Sequence, residues 1–185
     1  MAHCTTSELI EGSKHICYEI TMMEQDLQSM RDIYAAEKTP LKHHINTFLN
    51  SFFVHARCIY EFLYEDKSSR FPEDIKASDF AEEKGWTKPD LPQELKAWKK
   101  EIDKRVVHLT YHRLEIEEIR KRWEVGYIHS ELQKGLLEFY RWVPGSRICD
   151  ALKEEKEHAL KEAASRSQRR TSPDVSTFTT GSSLD

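Results

Sequence analysis

Stretches in which large apolar residues recur at alternating spacings of three and four constrain the fold of this chain most strongly. Three of them run from Ile16 to Tyr34, from Leu41 to Leu63 and from Leu95 to Leu109, and a fourth, from Trp123 or Val125 to Val143, ends at Pro144-Gly145. At about 100° per residue this spacing places the apolar residues on one stripe of a helix, which is buried against other helices. The sequence therefore predicts an all-α fold, an antiparallel helical bundle of about four to five helices.

The composition is typical of a helical protein in aqueous surroundings. The chain is 38% hydrophobic and 32% charged, with only 6 Gly. No apolar run approaches the roughly 18 to 20 residues of a membrane span, and the first residues lack the apolar core of a signal peptide. Four cysteines lie far apart without a paired motif. We therefore expect a cytoplasmic protein with reduced thiols, without contact with a membrane.

A length of 185 residues suits one helical domain with a tail. We place that domain at residues 1–164, with a core at about 16–143 and an exposed, charged helical extension at 145–164. The first helix is predicted to begin near Ser7. Residues 65–92 lose the helical periodicity, which predicts a long excursion containing a short helix that Phe80 and Trp86 anchor. The Ser/Thr-rich residues 165–185 are predicted to be disordered.

The third stretch, LKAWKKEIDKRVVHLTYHR, combines its apolar seam with cationic and imidazole side chains. If the helix continues, Arg105, His108 and His112 share one face beside that seam. From Glu94 to Arg122 nine Lys and Arg residues stand against six acids. This local excess of positive charge permits a phosphate-bearing partner, although the whole chain has a formal charge of −4.

The sequence predicts, in order, two long amphipathic helices, an excursion, a third helix and another amphipathic helix. The third helix ends in the run Asp103-Lys104-Arg105-Val106-Val107-His108-Leu109-Thr110. This arrangement, over roughly residues 16–143, resembles the HEPN superfamily, and more narrowly the abortive-infection-type HEPN-like proteins of bacteria. The resemblance implies an all-α fold that commonly forms homodimers. Many members are metal-independent ribonucleases of toxin or phage-defence systems, and others keep the fold without catalysis. RNA, an antitoxin or another protein is the partner that the resemblance implies, with no cofactor.

Active members of that superfamily carry Arg, a polar residue directly after it, and His after about four to six intervening residues. In the better of two registers His108 is the histidine, Asp103 and Lys104 are the polar residues, and the arginine position falls on Ile102. In the other register Arg105 is the arginine and His112 the histidine, and apolar Val106 follows the arginine. The candidate catalytic residues are Asp103, Lys104, Arg105, His108 and His112.

In a ribonuclease, His108 or His112 would draw the proton from a ribose 2′-hydroxyl, because an imidazole titrates near neutral pH. Arg105 with Lys104 would stabilise the charge of the phosphorane. The alternative is structural, with His108 capping helix carbonyls and Arg105 paired to Glu101. The histidine pair HLTYH lacks the glutamate of a zinc-protease motif, so no metal is expected.

The second helix carries two further candidates, Arg57 and His55. Either would complete a composite site if it faced the helix of His108. The interpretation that we favour is that both are solvent-facing residues of an amphipathic helix. A different class of function is compatible with the same pattern, namely a non-catalytic helical module that holds a protein partner.

Overall fold

The computed structural model describes residues 4–36, 42–68, 71–81, 86–104 and 124–171. Within these ranges every regular element is helical, which confirms the all-α prediction. The helices are α1 (Thr6–Ala36), α2 (Lys42–Tyr64), α3 (Ala77–Ala81), α4 (Gln93–Ile102), α5 (Val125–Trp142) and α6 (Asp150–Thr171), with a 3-10 turn at Gly145–Arg147. None of the described helices combines the length and apolarity that crossing a membrane requires.

The hydroxyl of Thr5 caps α1. The backbone N–H of Glu8 donates to Thr5 Oγ1 at 3.2 Å, and the backbone N–H of Thr5 donates to the Glu8 carboxylate at 2.7 Å. This reciprocal pair is a capping box. The helix therefore begins slightly before Ser7, and the cap is Thr5, because a carboxylate three residues after Thr5 completes the box.

Helices α1 and α2 pack along each other and form an antiparallel hairpin. The link between Ala36 and Lys42 spans at most about 20 Å, because each residue adds no more than about 3.6 Å. At 1.5 Å per residue both helices are longer than this link, so the link cannot run back along α1 to its start. Two helices in contact along their lengths must then run in opposite directions.

Helix α2 supplies the centre of the core, as its broad apolar stripe predicts. Phe52 and Phe53 are fully buried, and Ala56, Ile59 and Leu63 are almost so. Its neighbours are α1, α4 and α5. Three aromatic rings join α2, α3 and α5 edge to face, with centroids 5.0 Å apart for Phe62 and Phe139 and 5.9 Å apart for Phe80 and Phe139. The prediction that Phe80 anchors a short helix of the excursion is confirmed.

Helices α5 and α6 close the bundle. The seam of α5 buries Ile128, Leu132, Leu136 and Phe139. Before α6, the backbone N–H of Cys149 donates to the buried Ser13 hydroxyl at 2.7 Å, which ties the start of that helix to α1. Helix α6 continues to Thr171, beyond Ala164, where the predicted extension ends. Alanine at 163 and 164 favours this continuation, because alanine has the highest helix propensity.

Candidate functional site

Five charged side chains in and directly after α2 and α4 meet beside the first residues of the predicted motif. We call them the charged cluster: Arg57 and Glu61 of α2 with Glu65 just after that helix, and Lys99 of α4 with Asp103 just after it. Arg57 Nε lies 2.8 Å from Asp103 Oδ1, and Arg57 Nη2 lies 2.9 Å from Glu61 Oε1. Lys99 Nζ lies 2.8 Å from Asp103 Oδ2, 3.4 Å from Glu65 Oε1 and 3.6 Å from Glu61 Oε1. Asp103 therefore connects both helices.

The interpretation that we favoured for α2 placed Arg57 in solvent, but its side chain does not face solvent. Its side chain is 30% exposed and reaches across to α4. His55 contacts α1 instead. Its Nδ1 lies 2.7 Å from Glu19 Oε2, and its ring packs edge to face on Tyr18. The structure thus brings Arg57 to α4 and His55 to α1. The interpretation was wrong because helices pack on both sides of α2, so that its polar side chains also find partners.

Of the predicted catalytic residues, Asp103 and Lys104 lie within the described part of the chain. Arg105, His108 and His112 lie outside it. The Asp103 carboxylate contacts Arg57 and Lys99, and its Oδ1 and Arg57 Nε are buried without hydrogen-bond geometry, so that contact is an ion pair. Burial on its own would lower the pKa of Lys99, but its hydrogen bond to Asp103 and the nearby Glu65 and Glu61 outweigh burial and raise that pKa. Lys99 is therefore a stable cation.

Ile102, which occupies the arginine position in the better register, belongs to the hydrophobic core. Its side chain is 3% exposed. Together with Leu95 and Trp98 it borders a narrow crevice between α2, α4 and α5, lined also by Tyr60 and Leu132. The crevice has room for about one water molecule, so it is too small for a nucleotide.

The charge of the cluster decides what the cluster can do chemically. Its two cations stand against three carboxylates, and each cation already contacts at least two of them. A phosphate would have to displace a carboxylate to reach Arg57 or Lys99. The arrangement is suited to holding α4 against α2. The sequence does contain a signal for it, because Arg57 and Glu61, like Lys99 and Asp103, are spaced i,i+4 on one helix face.

A second polar contact joins α1 to α5. His129 Nε2 lies 2.6 Å from Glu24 Oε1, and the Gln133 side chain donates to the same oxygen at 2.5 Å. Burial would raise the pKa of Glu24, but the hydrogen bond and charge of His129, with Gln133 and Arg31, lower it overall. In the described ranges no three His, Cys, Asp or Glu side chains converge as metal ligands.

Fold and cluster together define an all-α protein in which an ion-paired cluster joins two core helices. No protein-family model, curated protein or solved structure matches the chain.

Proposed function

We propose that this chain is a HEPN-like helical module of bacterial phage-defence or toxin systems, and that it binds a protein partner without cleaving RNA. The observation that carries this proposal is the position of Ile102. In the register in which Asp103, Lys104 and His108 match the motif, the arginine position is Ile102, whose side chain is 3% exposed in the core. An apolar side chain buried there supplies no charge to a phosphate.

The neighbouring cations do not replace the missing arginine. Arg57 and Lys99 form the ion pairs with the Asp103 carboxylate, and the carboxylates around these two cations outnumber them. An uncompensated carboxylate beside a phosphorane would repel its negative charge. This repulsion raises the barrier that a ribonuclease has to lower.

A second candidate function is a metal-independent ribonuclease that uses the other register, with His112 as the base and Arg105 as the cation. One observation favours it. Arg57 and Lys99 fix Asp103, two residues before Arg105, so the motif begins at an anchored helix end. Such anchoring helps to hold catalytic side chains in a productive geometry.

An RNA-cleavage assay in EDTA separates the two candidates. The chain, His108→Ala, His112→Ala and Arg105→Ala are each incubated with labelled single-stranded RNA. We expect no cleavage above the buffer level from any of them. Cleavage by the unsubstituted chain that is lost in His112→Ala and Arg105→Ala would establish the second candidate. Cleavage lost in His108→Ala would also overturn the proposal.

A matched variant guards this assay against contaminating nucleases. Lys161→Ala changes an exposed residue of α6, far along the chain from the motif. Cleavage of equal rate in this variant and in all three motif variants comes from a copurified enzyme.

The binding part of the proposal has its own measurement. Affinity purification from the native host, followed by mass measurement of the intact complex, should show the chain with one stoichiometric partner protein. Recovery of the chain with RNA and no protein would contradict it.

A further inference from the structure

Two cysteines from distant parts of the chain lie close together where α6 begins. The backbone N–H of Cys149 donates to the Ser13 hydroxyl of α1 at 2.7 Å. Cys17 follows Ser13 by one turn, which is about 6 Å along the helix axis and about 40° around it. A disulfide joins residues whose Cα atoms are about 4.4 to 6.8 Å apart, so an offset of one turn is within its reach.

The side of α1 that carries Cys17 faces α5 and α6. Glu24 follows Cys17 by seven residues and therefore lies on nearly the same side of α1. Its carboxylate lies 2.6 Å from the His129 ring of α5. Ser13, on this side too, contacts Cys149. Cys17 lies between these two contacts and packs against the hydrophobic core, so it belongs to the junction of α1, α5 and α6.

The charges around the two thiols agree with this placement. Burial, followed by the charge of Cys149, raises the pKa of Cys17. The Tyr140 hydroxyl of α5 is buried and has no hydrogen-bond partner among the described residues. Burial, followed by the charges of Glu155 and Cys17, raises the pKa of Tyr140. Cys17 therefore has Cys149 and a side chain of α5 as its neighbours.

We propose that Cys17 and Cys149 form a reversible disulfide when a peroxide oxidises the chain, and that this bond fixes the start of α6 to α1. The sulfur of Cys149 attacks one oxygen of hydrogen peroxide, the O–O bond breaks, and a sulfenic acid and one water form. The sulfur of Cys17 then attacks the sulfenic sulfur, the S–O bond breaks, and a second water leaves. The two thiol protons end in these waters, and the two electrons from the sulfurs reduce the peroxide.

The position of Cys149 explains why its sulfur attacks first. The backbone N–H of Lys153 donates to the Cys149 carbonyl at 3.1 Å, which places Cys149 directly before the first turn of α6. The positive end of a helix dipole favours a thiolate. The pKa of Lys14 is raised, first by its hydrogen bond to Glu11 and in smaller part by the charge of Cys149, so a cation lies near this sulfur. Cys17, whose pKa burial raises, is the resolving thiol.

The other two cysteines do not compete for Cys17 within one chain. Glu19 follows Cys17 by two residues and lies on the opposite side of α1. The Cys58 thiol contacts Glu19 there, and burial, followed by the charge of Glu19 and a hydrogen bond with it, raises the pKa of Cys58 to about 11. Cys4 precedes α1, whose first turn at Thr6 is about 16 Å along the helix from Cys17.

The cross-link would act where α6 is anchored. Ile148 and Leu152 are buried, whereas residues 164–167 near the other end of the described helix are exposed. Cys17 and Cys149 are about 130 residues apart along the chain, so a bond between them restricts the unfolded chain strongly. We therefore expect oxidation to raise the melting temperature by about 10 °C.

Peptide mapping after oxidation tests the proposal. The folded chain is treated with about 1 mM hydrogen peroxide, its remaining thiols are alkylated, and it is digested without reductant. We expect one cross-linked peptide pair that contains Cys17 and Cys149, and a rise in melting temperature that dithiothreitol reverses. In the double variant Cys4→Ser/Cys58→Ser, which retains only this pair, the intact mass should fall by about 2 Da, the mass of two hydrogens.

Single variants separate the pair from the other thiols. Cys17→Ser and Cys149→Ser should each lose the cross-link and the rise in melting temperature. Cys58→Ser is the matched control and should keep both. Circular dichroism verifies that each variant is folded, and the peptide map of the unsubstituted chain does not depend on any variant.

The proposal is overturned if the folded, unsubstituted chain yields no peptide that links Cys17 to Cys149 while the exposed Cys4 is oxidised. A link that forms only in urea also overturns it, because the fold would then not bring the two thiols together. If the link forms in the folded chain and the melting temperature stays unchanged, the bond does not fix α6 to α1 and that part of the proposal is wrong.

Discussion

Gly135 lies where α5 crosses α2, and its replacement by alanine tests how tightly the two helices pack. An added Cβ would lie 2.5 Å from Tyr64 Oη and 2.9 Å from Leu63 Cδ1. Tyr64 is 7% exposed, and burial, with Glu131 and Tyr60 nearby, raises its pKa to about 12. The buried ring has little free space to turn into, so an added Cβ forces Tyr64, Leu63 or the helices themselves to shift.

Two opposing free energies decide the outcome. Alanine in place of glycine favours a helix interior by about 1 kcal/mol. Overpacking of a core costs about 1 to 3 kcal/mol, and two contacts below 3.0 Å place this site at the upper end. We therefore expect Gly135→Ala to lower the free energy of unfolding by about 2 kcal/mol.

Urea unfolding followed by circular dichroism at 25 °C measures this change. The matched control is Gly126→Ala in the same helix, where an added Cβ meets nothing within 4 Å. It should stabilise the protein by about 0.5 kcal/mol. Adding Tyr64→Phe to Gly135→Ala removes the closest contact and should recover about 1 kcal/mol as a coupling energy. The reasoning fails if Gly135→Ala is as stable as the unsubstituted chain.

Two further predictions concern the ion pairs. Asp103→Ala should lower the free energy of unfolding by about 1 to 2 kcal/mol, because it removes the carboxylate that lies 2.8 Å from each of the two cations. Glu65→Ala, at a 40% exposed side chain 3.4 Å from Lys99, should cost less than about 0.5 kcal/mol. Equal losses in urea unfolding would contradict the assigned role of Asp103. The pKa of Glu24 is lowered in the folded protein, so the ionised carboxylate stabilises the fold. This contribution is fully present when the pH is above the ordinary pKa of 4.5, and it is lost as the pH falls through the lowered pKa. Urea unfolding between pH 7 and pH 3 should therefore show Glu24→Gln less stable than the unsubstituted chain at pH 7, and a difference that stays constant down to pH 3 would contradict this.

Apolar periodicity predicted the helices well because it reports burial directly. The seam residues Ile16, Ile20 and Met23 of α1 are buried, as are Leu132 and Leu136 of α5. Helix ends are set by weaker, local interactions. The Thr5 cap competes with Ser7 for the start of α1, and a difference of one hydrogen bond, worth about 1 kcal/mol, decides between them.

The charged cluster was harder to foresee because a helical wheel shows which residues share a face and not what packs on that face. Arg57 lies on the polar side of α2, and the pattern of α2 alone places it in solvent. The ion pair with Asp103 exists because α4 returns to α2 after the long excursion. Pairing over that separation depends on the tertiary fold, and a sequence pattern within one helix does not report it.

The spacing of apolar residues in α4 explains why position 102 carries an apolar side chain. Leu95, Trp98 and Ile102 recur at three and four, so the apolar seam of α4 requires an isoleucine-like side chain there, and the structure buries it. A phosphate-binding arginine requires the opposite environment, with water and substrate in reach. One side chain cannot satisfy both requirements, because burying an unpaired guanidinium costs far more than the seam contact stabilises. If this chain does cleave RNA, its cation must therefore come from Lys104, from Arg105 or from outside the motif, and the variants Lys104→Ala and Arg105→Ala distinguish these sources.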